Sequence, residues 1–204
     1  MFITFEGPEG SGKSTQIRLL VEWLRAQGRE VVLTREPGGT AIGDQIRGVL
    51  HDVGNTAMAA SAEILLYSAS RAQLVNELVR PSLADNKIVL CDRFFDSTYA
   101  YQGYGRGLDL ASLQMITQFA TGGLKPDLTL MLDIDVARGI ARRVDNNEEM
   151  NRLDLEKIEF HERVRQGYFA LIEAEPARWR VIDADRPIDV IQAELRELFT
   201  ALLG

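Results

Sequence analysis

Short apolar runs alternate with longer amphipathic segments along the whole chain. The runs are rich in β-branched and aromatic residues and predict strands at residues 2–5, 31–34, 88–91, 128–132 and 180–182. Between them, apolar positions recur at helical spacing, which predicts helices over residues 13–27, 40–52, 57–85, 110–121, 136–144, 155–174 and 188–203. Because nearly all-apolar strands alternate with helices, the pattern predicts an α/β fold of three layers, a five-stranded parallel sheet with helices on both faces.

The chain shows no internal division. Its 204 residues suit one domain with a sizeable core, and no repeat, low-complexity tract or domain-scale linker interrupts them. We therefore expect a single domain over residues 1–204. The most polar stretch, residues 145–152, predicts an exposed, mobile loop.

Composition and charge narrow the functional classes. Apolar residues make up 46% of the chain and charged residues 26%, as in ordinary globular proteins. The net charge of −7 argues against a nucleic-acid-binding surface, because such a surface is basic. No apolar run approaches the ~20 residues of a membrane span, and no signal peptide is evident. The single cysteine, Cys91, fits a reducing compartment. We expect a cytoplasmic protein without nucleic-acid or membrane partners.

A glycine-rich segment follows the first predicted strand and leads into the first predicted helix. Residues 7–14 read GPEGSGKS and fit the pattern G-x-x-x-x-G-K-[ST], the phosphate-binding loop of P-loop NTPases. Its backbone N–H groups and the helix N-terminus would hold a polyphosphate, Lys13 would reach the β- and γ-phosphates, and the Ser14 hydroxyl would ligate Mg²⁺. A simple glycine-rich turn is the alternative. The predicted phosphate-binding residues are Gly7, Pro8, Glu9, Gly10, Ser11, Gly12, Lys13, Ser14 and Thr15.

Charged residues follow several predicted strands, at the sheet edge where ligands bind in such folds. Asp92 ends the third strand and has the form of a second Mg²⁺-holding element. Asp133 ends the fourth strand in the same way, so the pattern alone does not choose between them. Arg93 favours Asp92, because a guanidinium beside the metal site can grip a phosphate. We expect Asp133 and Asp135 to cap the helix that follows them.

Three further groups of side chains suit a nucleotide substrate, each with a plainer alternative. Tyr67 and Arg71 are spaced i,i+4 and could stack on and hydrogen-bond a base, or simply pack. Residues 97–104 carry hydroxyls and an amide that could read a base or sugar, or form a tyrosine-rich surface turn. Arginines around the polar loop could neutralise a transferred phosphoryl group, or form a solvated helix end. They are Arg138, Arg142, Arg143 and Arg152.

A GTPase-like switch and a small-molecule kinase are the competing classes. A switch needs an Asn/Thr-Lys-x-Asp loop to read guanine, and the nearest segment, Lys125-Pro126-Asp127, lacks the Asn. Phosphate-gripping candidates at several strand ends favour a kinase with a second anionic substrate.

Six sequence blocks together resemble the bacterial thymidylate kinase family, in the family's order and over nearly the whole chain. The blocks are residues 5–15, 34–40, 91–94, 100–103, 126–129 and 151–154. The resemblance implies a nucleoside-monophosphate kinase fold, a homodimer, a lid at about residues 143–153, and Mg²⁺-dependent transfer from ATP to dTMP in dTTP synthesis. Another nucleoside-monophosphate kinase and a regulatory P-loop ATPase remain alternatives.

The same resemblance assigns roles to individual residues. Arg47 and Arg93 would bind the dTMP phosphate, Tyr67 would stack on thymine, and Arg71 would hydrogen-bond a ring oxygen. Tyr67 departs from the phenylalanine common in the family: it keeps the stacking face and adds a hydroxyl that needs a partner. The other residues predicted to line the substrate are Glu36, Thr98 and Gln102.

On the donor side, Arg142 or Arg143 would lie against adenine, opposite the loop that contains Asp185. The P-loop carries the acid Glu9 where some family members have an arginine, so a lid residue must meet the transition-state charge. The candidates are Arg143 and Arg152. The predicted catalytic residues are thus Lys13, Glu9, Arg93, Arg143 and Arg152.

Overall fold

The structure is a computed structural model that describes residues 1–145 and 152–204. Five parallel strands form its sheet, in the spatial order β2-β3-β1-β4-β5. They are β1 (Phe2–Glu6), β2 (Val31–Arg35), β3 (Ile88–Asp92), β4 (Leu128–Asp133) and β5 (Trp179–Asp183). All predicted strands are confirmed, and each extends one residue further at its carboxyl end. In every strand the added residue is charged. Charged side chains therefore lie along the edge of the sheet where the strands end.

The helices cover both faces of the sheet, so the predicted three-layer α/β fold is confirmed. They are α1 (Lys13–Ala26), α2 (Ala41–His51), α3 (Ala60–Leu74), α4 (Arg80–Ala84), α5 (Phe95–Thr98), α6 (Leu110–Thr121), α7 (Val136–Asp145), α8 (Ile158–Ala174) and α9 (Ile188–Leu203). π-Helical turns at Val75–Val79 and Tyr99–Gly105 extend α3 and α5, and a 3₁₀ turn at Pro176–Arg178 precedes β5. No helix within the described residues is both long and apolar enough to cross a membrane.

Two apolar clusters lie on opposite faces of the sheet. On β1, Ile3 and Phe5 join α1 and α9 in one cluster, while Phe2 joins Leu74 and Phe94 in the other. Successive side chains of a strand point to opposite faces, so an all-apolar strand fills both. The strand is wholly buried, which is the environment that its composition predicts.

The structure excludes one alternative that the sequence left open and contradicts one expectation. Residues 97–104 are not a tyrosine-rich surface turn, because they form the end of α5 and the π-helical turn, in which Tyr101 and Gln102 are buried. Asp133 does not cap α7, because it binds Arg165 with both carboxylate oxygens, at 2.7 and 2.6 Å. Asp135 does cap α7, accepting the Arg138 backbone N–H at 3.2 Å. Thr40 caps α2 in the same way.

Candidate active site

A cavity of about 730 Å³ opens at the carboxyl ends of the strands, as a parallel sheet predicts. It brings together most of the predicted site residues: Glu9, Gly10, Ser11, Gly12, Lys13, Ser14, Thr15, Glu36, Arg47, Tyr67, Arg71, Asp92, Arg93, Thr98, Gln102, Arg142 and Arg143. Among the described residues, Gly7, Pro8, Arg152 and Asp185 are predicted site residues that do not line it.

The phosphate-binding loop wraps around the Lys13 side chain. Its ammonium donates to the carbonyl oxygens of Gly7 and Pro8, at 3.1 and 2.9 Å. Gly10 has a φ of 71°, and a Cβ there would lie 1.9 Å from the Gly139 carbonyl oxygen, so only glycine fits this turn against α7. Burial, together with repulsion from Arg93, lowers the pKa of Lys13 to about 8. The loop thus places a poorly solvated cation at the start of α1.

Ser14 and Asp92 meet beside this loop. The Ser14 hydroxyl donates to the Asp92 carboxylate at 2.9 Å. No group of three or more histidine, cysteine, aspartate and glutamate side chains suited to a metal ion occurs in the described part of the chain. Mg²⁺ does not require one, since it keeps several water ligands and is held by one or two protein groups and substrate phosphates. One hydroxyl and one carboxylate therefore fit Mg²⁺.

Arg93 lies at the centre of a dense polar network. Its backbone is left-handed, with a φ of 67°. The guanidinium donates to Glu9 at 2.6 Å and to the Tyr168 hydroxyl at 3.0 Å, and it lies over the Tyr101 ring, 5.1 Å from the ring centroid. These contacts hold the guanidinium in one orientation, as bidentate recognition of a phosphate requires.

Glu9 joins the phosphate-binding loop to this network. Its carboxylate accepts hydrogen bonds from Arg93 at 2.6 Å, Tyr101 at 3.0 Å and Arg143 at 3.4 Å. Burial opposes its ionisation, but the positive charges of Arg93, Lys13 and Arg143 outweigh burial and lower the pKa of Glu9 to about 2. Glu9 is therefore an anion at neutral pH.

Sequence reasoning missed the residues that support Arg93. Glu6, fully buried at the end of β1, accepts hydrogen bonds from Phe94 N at 2.8 Å, Ser97 Oγ at 2.5 Å and Tyr168 Oη at 2.7 Å. Burial raises the pKa of Glu6. A charged residue directly after an apolar strand was an available signal for Glu6. Tyr168 lies on α8, far along the chain, and carried no such signal.

The opposite end of the cavity holds Arg71 and Glu36, both buried. Arg71 donates to Glu36 through Nε at 2.8 Å and to the Thr98 hydroxyl through Nη2 at 3.0 Å. Arg71 Nη1 and Glu36 Oε1 are buried and have no hydrogen-bond partner among the described residues. Burial raises the pKa of Glu36 to about 7, against the influence of Arg71. An unsatisfied donor and an unsatisfied acceptor in a cavity are groups that a polar ligand can satisfy.

Other predicted contacts are made within the protein. Arg47 donates to the Pro37 carbonyl oxygen at 2.9 Å. Arg142 donates to the Ala184 carbonyl oxygen at 2.9 Å and to Asp185 at 3.1 Å, so it lies against the loop predicted to face it. Tyr67 is partly buried and lines the cavity.

The two lid arginines lie in different places. Arg143 lines the cavity and binds Asp154 at 2.5 Å. Arg152 instead contacts Glu63 and donates to the Leu50 carbonyl oxygen at 3.3 Å. Residues 146–151, the greater part of the predicted lid at 143–153, lie outside the described residues. The lid and its mobility stay predictions.

Comparisons with known proteins agree with this geometry. The family model "Thymidylate kinase" matches residues 5–195. A thymidylate kinase of Roseiflexus sp. (strain RS-1) is 55% identical over 96% of this chain and 91% of its own length. One from Desulfovibrio desulfuricans is 50% identical over 100% of this chain and 96% of its own. A crystal structure of thymidylate kinase from Ehrlichia chaffeensis superposes with a TM-score of 0.79, at 35% identity and 98% coverage of both chains. The chain belongs to the thymidylate kinase family.

Proposed function

We propose that this protein transfers the γ-phosphoryl group of ATP to dTMP, giving ADP and dTDP in dTTP synthesis. The observation that carries the proposal is one continuous cavity, which joins a phosphate-binding loop at one end to a buried, partly unsatisfied Arg71–Glu36 pair at the other. Such a cavity holds a polyphosphate and a second polar ligand side by side. Membership of the thymidylate kinase family supports thymine as the base of that ligand.

On the donor side, the backbone N–H groups of the loop and Lys13 bind the ATP phosphates. Arg142, which donates a hydrogen bond to Asp185, would contact the adenine. Ser14 and Asp92 would hold Mg²⁺, and the bound ion supplies positive charge to the phosphate oxygens. A loop built around a buried cation supports this assignment, since desolvated charges interact strongly with an anion.

On the acceptor side, Arg93 and Arg47 bind the dTMP phosphate, whose oxygen is the nucleophile. This oxygen is already negatively charged, so no strong general base is needed. Catalysis consists of positioning the two phosphates in line and neutralising the charge that develops between them. Arg143 is the lid arginine best placed for this role, because it lines the cavity next to Glu9.

The base would be recognised at the buried end. Tyr67 stacks on its face, and the unsatisfied Nη1 of Arg71 donates to a ring oxygen. Thr98 and Gln102 line its edge. Glu36 orients Arg71 through the 2.8 Å hydrogen bond to Nε.

A coupled assay of ADP release with ATP and a panel of nucleoside monophosphates tests the proposal. We expect dTMP to be the preferred acceptor, with dTDP as the product. Preference for another monophosphate would instead identify a different nucleoside-monophosphate kinase. ATP hydrolysis that no acceptor accelerates would indicate a regulatory P-loop ATPase.

We also propose that the protein is a homodimer. Helix α3 packs against both α2 and α6, and these helices carry exposed apolar side chains. The side chains are Val49, Leu65, Met115 and Phe119, and Phe119 is 91% exposed. Large apolar groups exposed on neighbouring elements favour a protein interface. Light scattering on a sizing column should give a dimer for the wild type and a monomer for Phe119→Asp. Phe169→Asp, on α8, is the matched control and should remain a dimer. A monomeric wild type would refute the proposal.

We further propose that residues 1–204 form one domain that acts in the cytoplasm with Mg²⁺, without nucleic-acid or membrane partners. The net charge of −7 and the reduced, buried Cys91 support this assignment. Fractionation of cells that express the protein, followed by the same assay, checks it. Activity confined to a membrane or periplasmic fraction would contradict it.

A further inference from the structure

Glu63 on α3 is buried beside the cavity but does not line it. Its side chain is 1% exposed. One carboxylate oxygen accepts hydrogen bonds from Gln102 Nε2 at 2.7 Å and Arg106 Nε at 2.8 Å. The other accepts from Arg106 Nη2 at 3.1 Å and from Arg152. Burying a carboxylate is costly unless it is paired, so the two guanidinium groups stabilise this one as an anion.

An anionic carboxylate fixes the orientation of the Gln102 amide. A carboxylate only accepts hydrogen bonds, so the NH₂ group of the amide must face Glu63. The amide carbonyl oxygen is left as the free acceptor of a side chain that lines the cavity. No hydrogen bond to this oxygen is made from within residues 1–145 and 152–204.

A fixed acceptor and an unsatisfied donor on two residues of one cavity together match one kind of base edge. Arg71 Nη1 is a buried donor without a partner in the described part of the chain, and Arg71 is among the residues that line the same cavity as Gln102. The imide edge of thymine or uracil presents a carbonyl oxygen next to an N–H, which complements this pair. Cytosine presents an amino group next to an unprotonated ring nitrogen, so both of its groups would face a group of the same kind.

We propose that Glu63 is a positioning residue that selects imide bases over cytosine by fixing the Gln102 amide. The inference rests on the proposed function, because that function assigns the buried end of the cavity to a nucleobase. It adds a specificity role for a residue that does not touch the substrate. It also gives Arg106 and Arg152 the task of holding the Glu63 carboxylate in place.

Glu63→Gln tests the proposal, because a glutamine at 63 can either donate or accept and no longer fixes Gln102. We measure kcat and KM for dTMP, dUMP and ATP, and the inhibition constant of dCMP competing with dTMP. We expect a roughly tenfold higher KM for dTMP and a roughly tenfold smaller preference for dTMP over dCMP. The KM for ATP and the ratio of dTMP to dUMP should stay within about twofold of wild type, because both bases share the imide edge.

Glu156→Gln is the matched control, because Glu156 also binds Arg106, at 3.0 Å, and contacts neither Gln102 nor Arg152 in the structure. It should leave base preference unchanged. Glu63→Asp is the second variant, because it keeps a negative charge to pair with Arg106 but draws the carboxylate away from Gln102. It should change dCMP inhibition in the same direction.

The outcomes separate the two proposals. Wild-type protein that does not phosphorylate dTMP would overturn the proposed function and this inference with it. Wild-type activity on dTMP, with unchanged dCMP discrimination in folded Glu63→Gln and Glu63→Asp, would overturn the inference alone. A loss of discrimination in Glu156→Gln as large as in Glu63→Gln would also overturn it, since the effect would then belong to Arg106.

Discussion

The two ends of the cavity are built in different ways. The donor end consists largely of the backbone of one continuous segment, residues 7–15, closed around the side chain of Lys13. The acceptor end is made of side chains from separate elements, with Arg71 on α3, Arg93 after β3 and Gln102 in the π-helical turn. A backbone site depends on glycines and one loop conformation. A side-chain site depends on how distant elements pack, so its specificity can change one residue at a time.

The largest expected effect is a fall in kcat, caused by a substitution at the donor end of the cavity. Lys13→Ala removes the buried cation around which the loop is wrapped and, with it, the charge proposed to contact the ATP phosphates. We expect kcat to fall at least about 100-fold, as for removal of one oxyanion-stabilising donor. The ADP-release assay with dTMP measures it. Lys87→Ala, at a surface lysine paired with Asp85, is the control. Near-normal turnover of Lys13→Ala would remove the loop from the mechanism.

The next largest effect is a fall in kcat/KM for dTMP, caused by a substitution that disturbs only the acceptor end of the cavity. Arg93→Ala removes the guanidinium held by Glu9 and Tyr168. We expect kcat/KM for dTMP to fall by about 100-fold, because charged hydrogen bonds to phosphate are lost. ATP affinity, measured by calorimetry, should change little. Arg165→Ala, which breaks an ion pair outside the cavity, is the matched control. Equal losses for both nucleotides would show that the two ends are not separate.

A smaller effect distinguishes metal binding from phosphate binding at the donor end of the cavity. Ser14→Ala removes the hydroxyl that donates to Asp92. We expect the Mg²⁺ concentration for half-maximal activity to rise about tenfold, as for loss of one metal-site partner. A Mg²⁺ titration at saturating nucleotides measures it. Ser112→Ala, at an exposed helix cap, should not shift that titration. An unshifted midpoint in Ser14→Ala would place the metal elsewhere.

The smallest expected effect is on the free energy of unfolding and comes from Glu9, which lies between the two ends of the cavity. Its pKa in the folded protein is about 2, below the ordinary 4.5, so its ionised form stabilises the fold. That stabilisation is present above pH 4.5 and is lost as the pH falls towards 2. Glu9→Gln should therefore lower the free energy of unfolding at pH 7 by about 1–2 kcal/mol, since the group is partly exposed.

Urea titrations of wild type and Glu9→Gln at several pH values check this. The difference between the two proteins should shrink from pH 4.5 to pH 2. A difference that does not change with pH would mean that packing, and not charge, accounts for the contribution of Glu9.

The phosphate-binding loop at the donor end was predictable from sequence, because one short motif specifies both its residue types and its conformation. The strands were predictable because short, nearly all-apolar runs are typical of buried strands. The pattern ended each strand one residue early, before its charged end at Glu6, Arg35, Asp92, Asp133 or Asp183. Helical spacing paired Tyr67 with Arg71, and the resemblance to a family assigned this pair, Arg47 and Gln102 to one substrate. Glu63 and Tyr168 were missed because their roles arise only when α3 and α8 pack beside the π-helical turn.

The same distance in sequence explains why the surface turn and the Asp133 cap are not observed. Residues 97–104 have no helical periodicity, but they pack against α8 and are helical. Asp133 resembles a cap by position, but Arg165 on α8 competes for it with two hydrogen bonds. In both cases a contact across the fold outweighs the local preference.

Three guanidinium groups of this cavity already have carboxylate neighbours, with Arg93 on Glu9, Arg71 on Glu36 and Arg143 on Asp154. If Arg93 binds the dTMP phosphate as proposed, it does so as a guanidinium already paired with a carboxylate, and not as a bare cation. Partly buried charge pairs are screened only weakly by salt. The nucleotide affinity of such a protein should be largely indifferent to added salt.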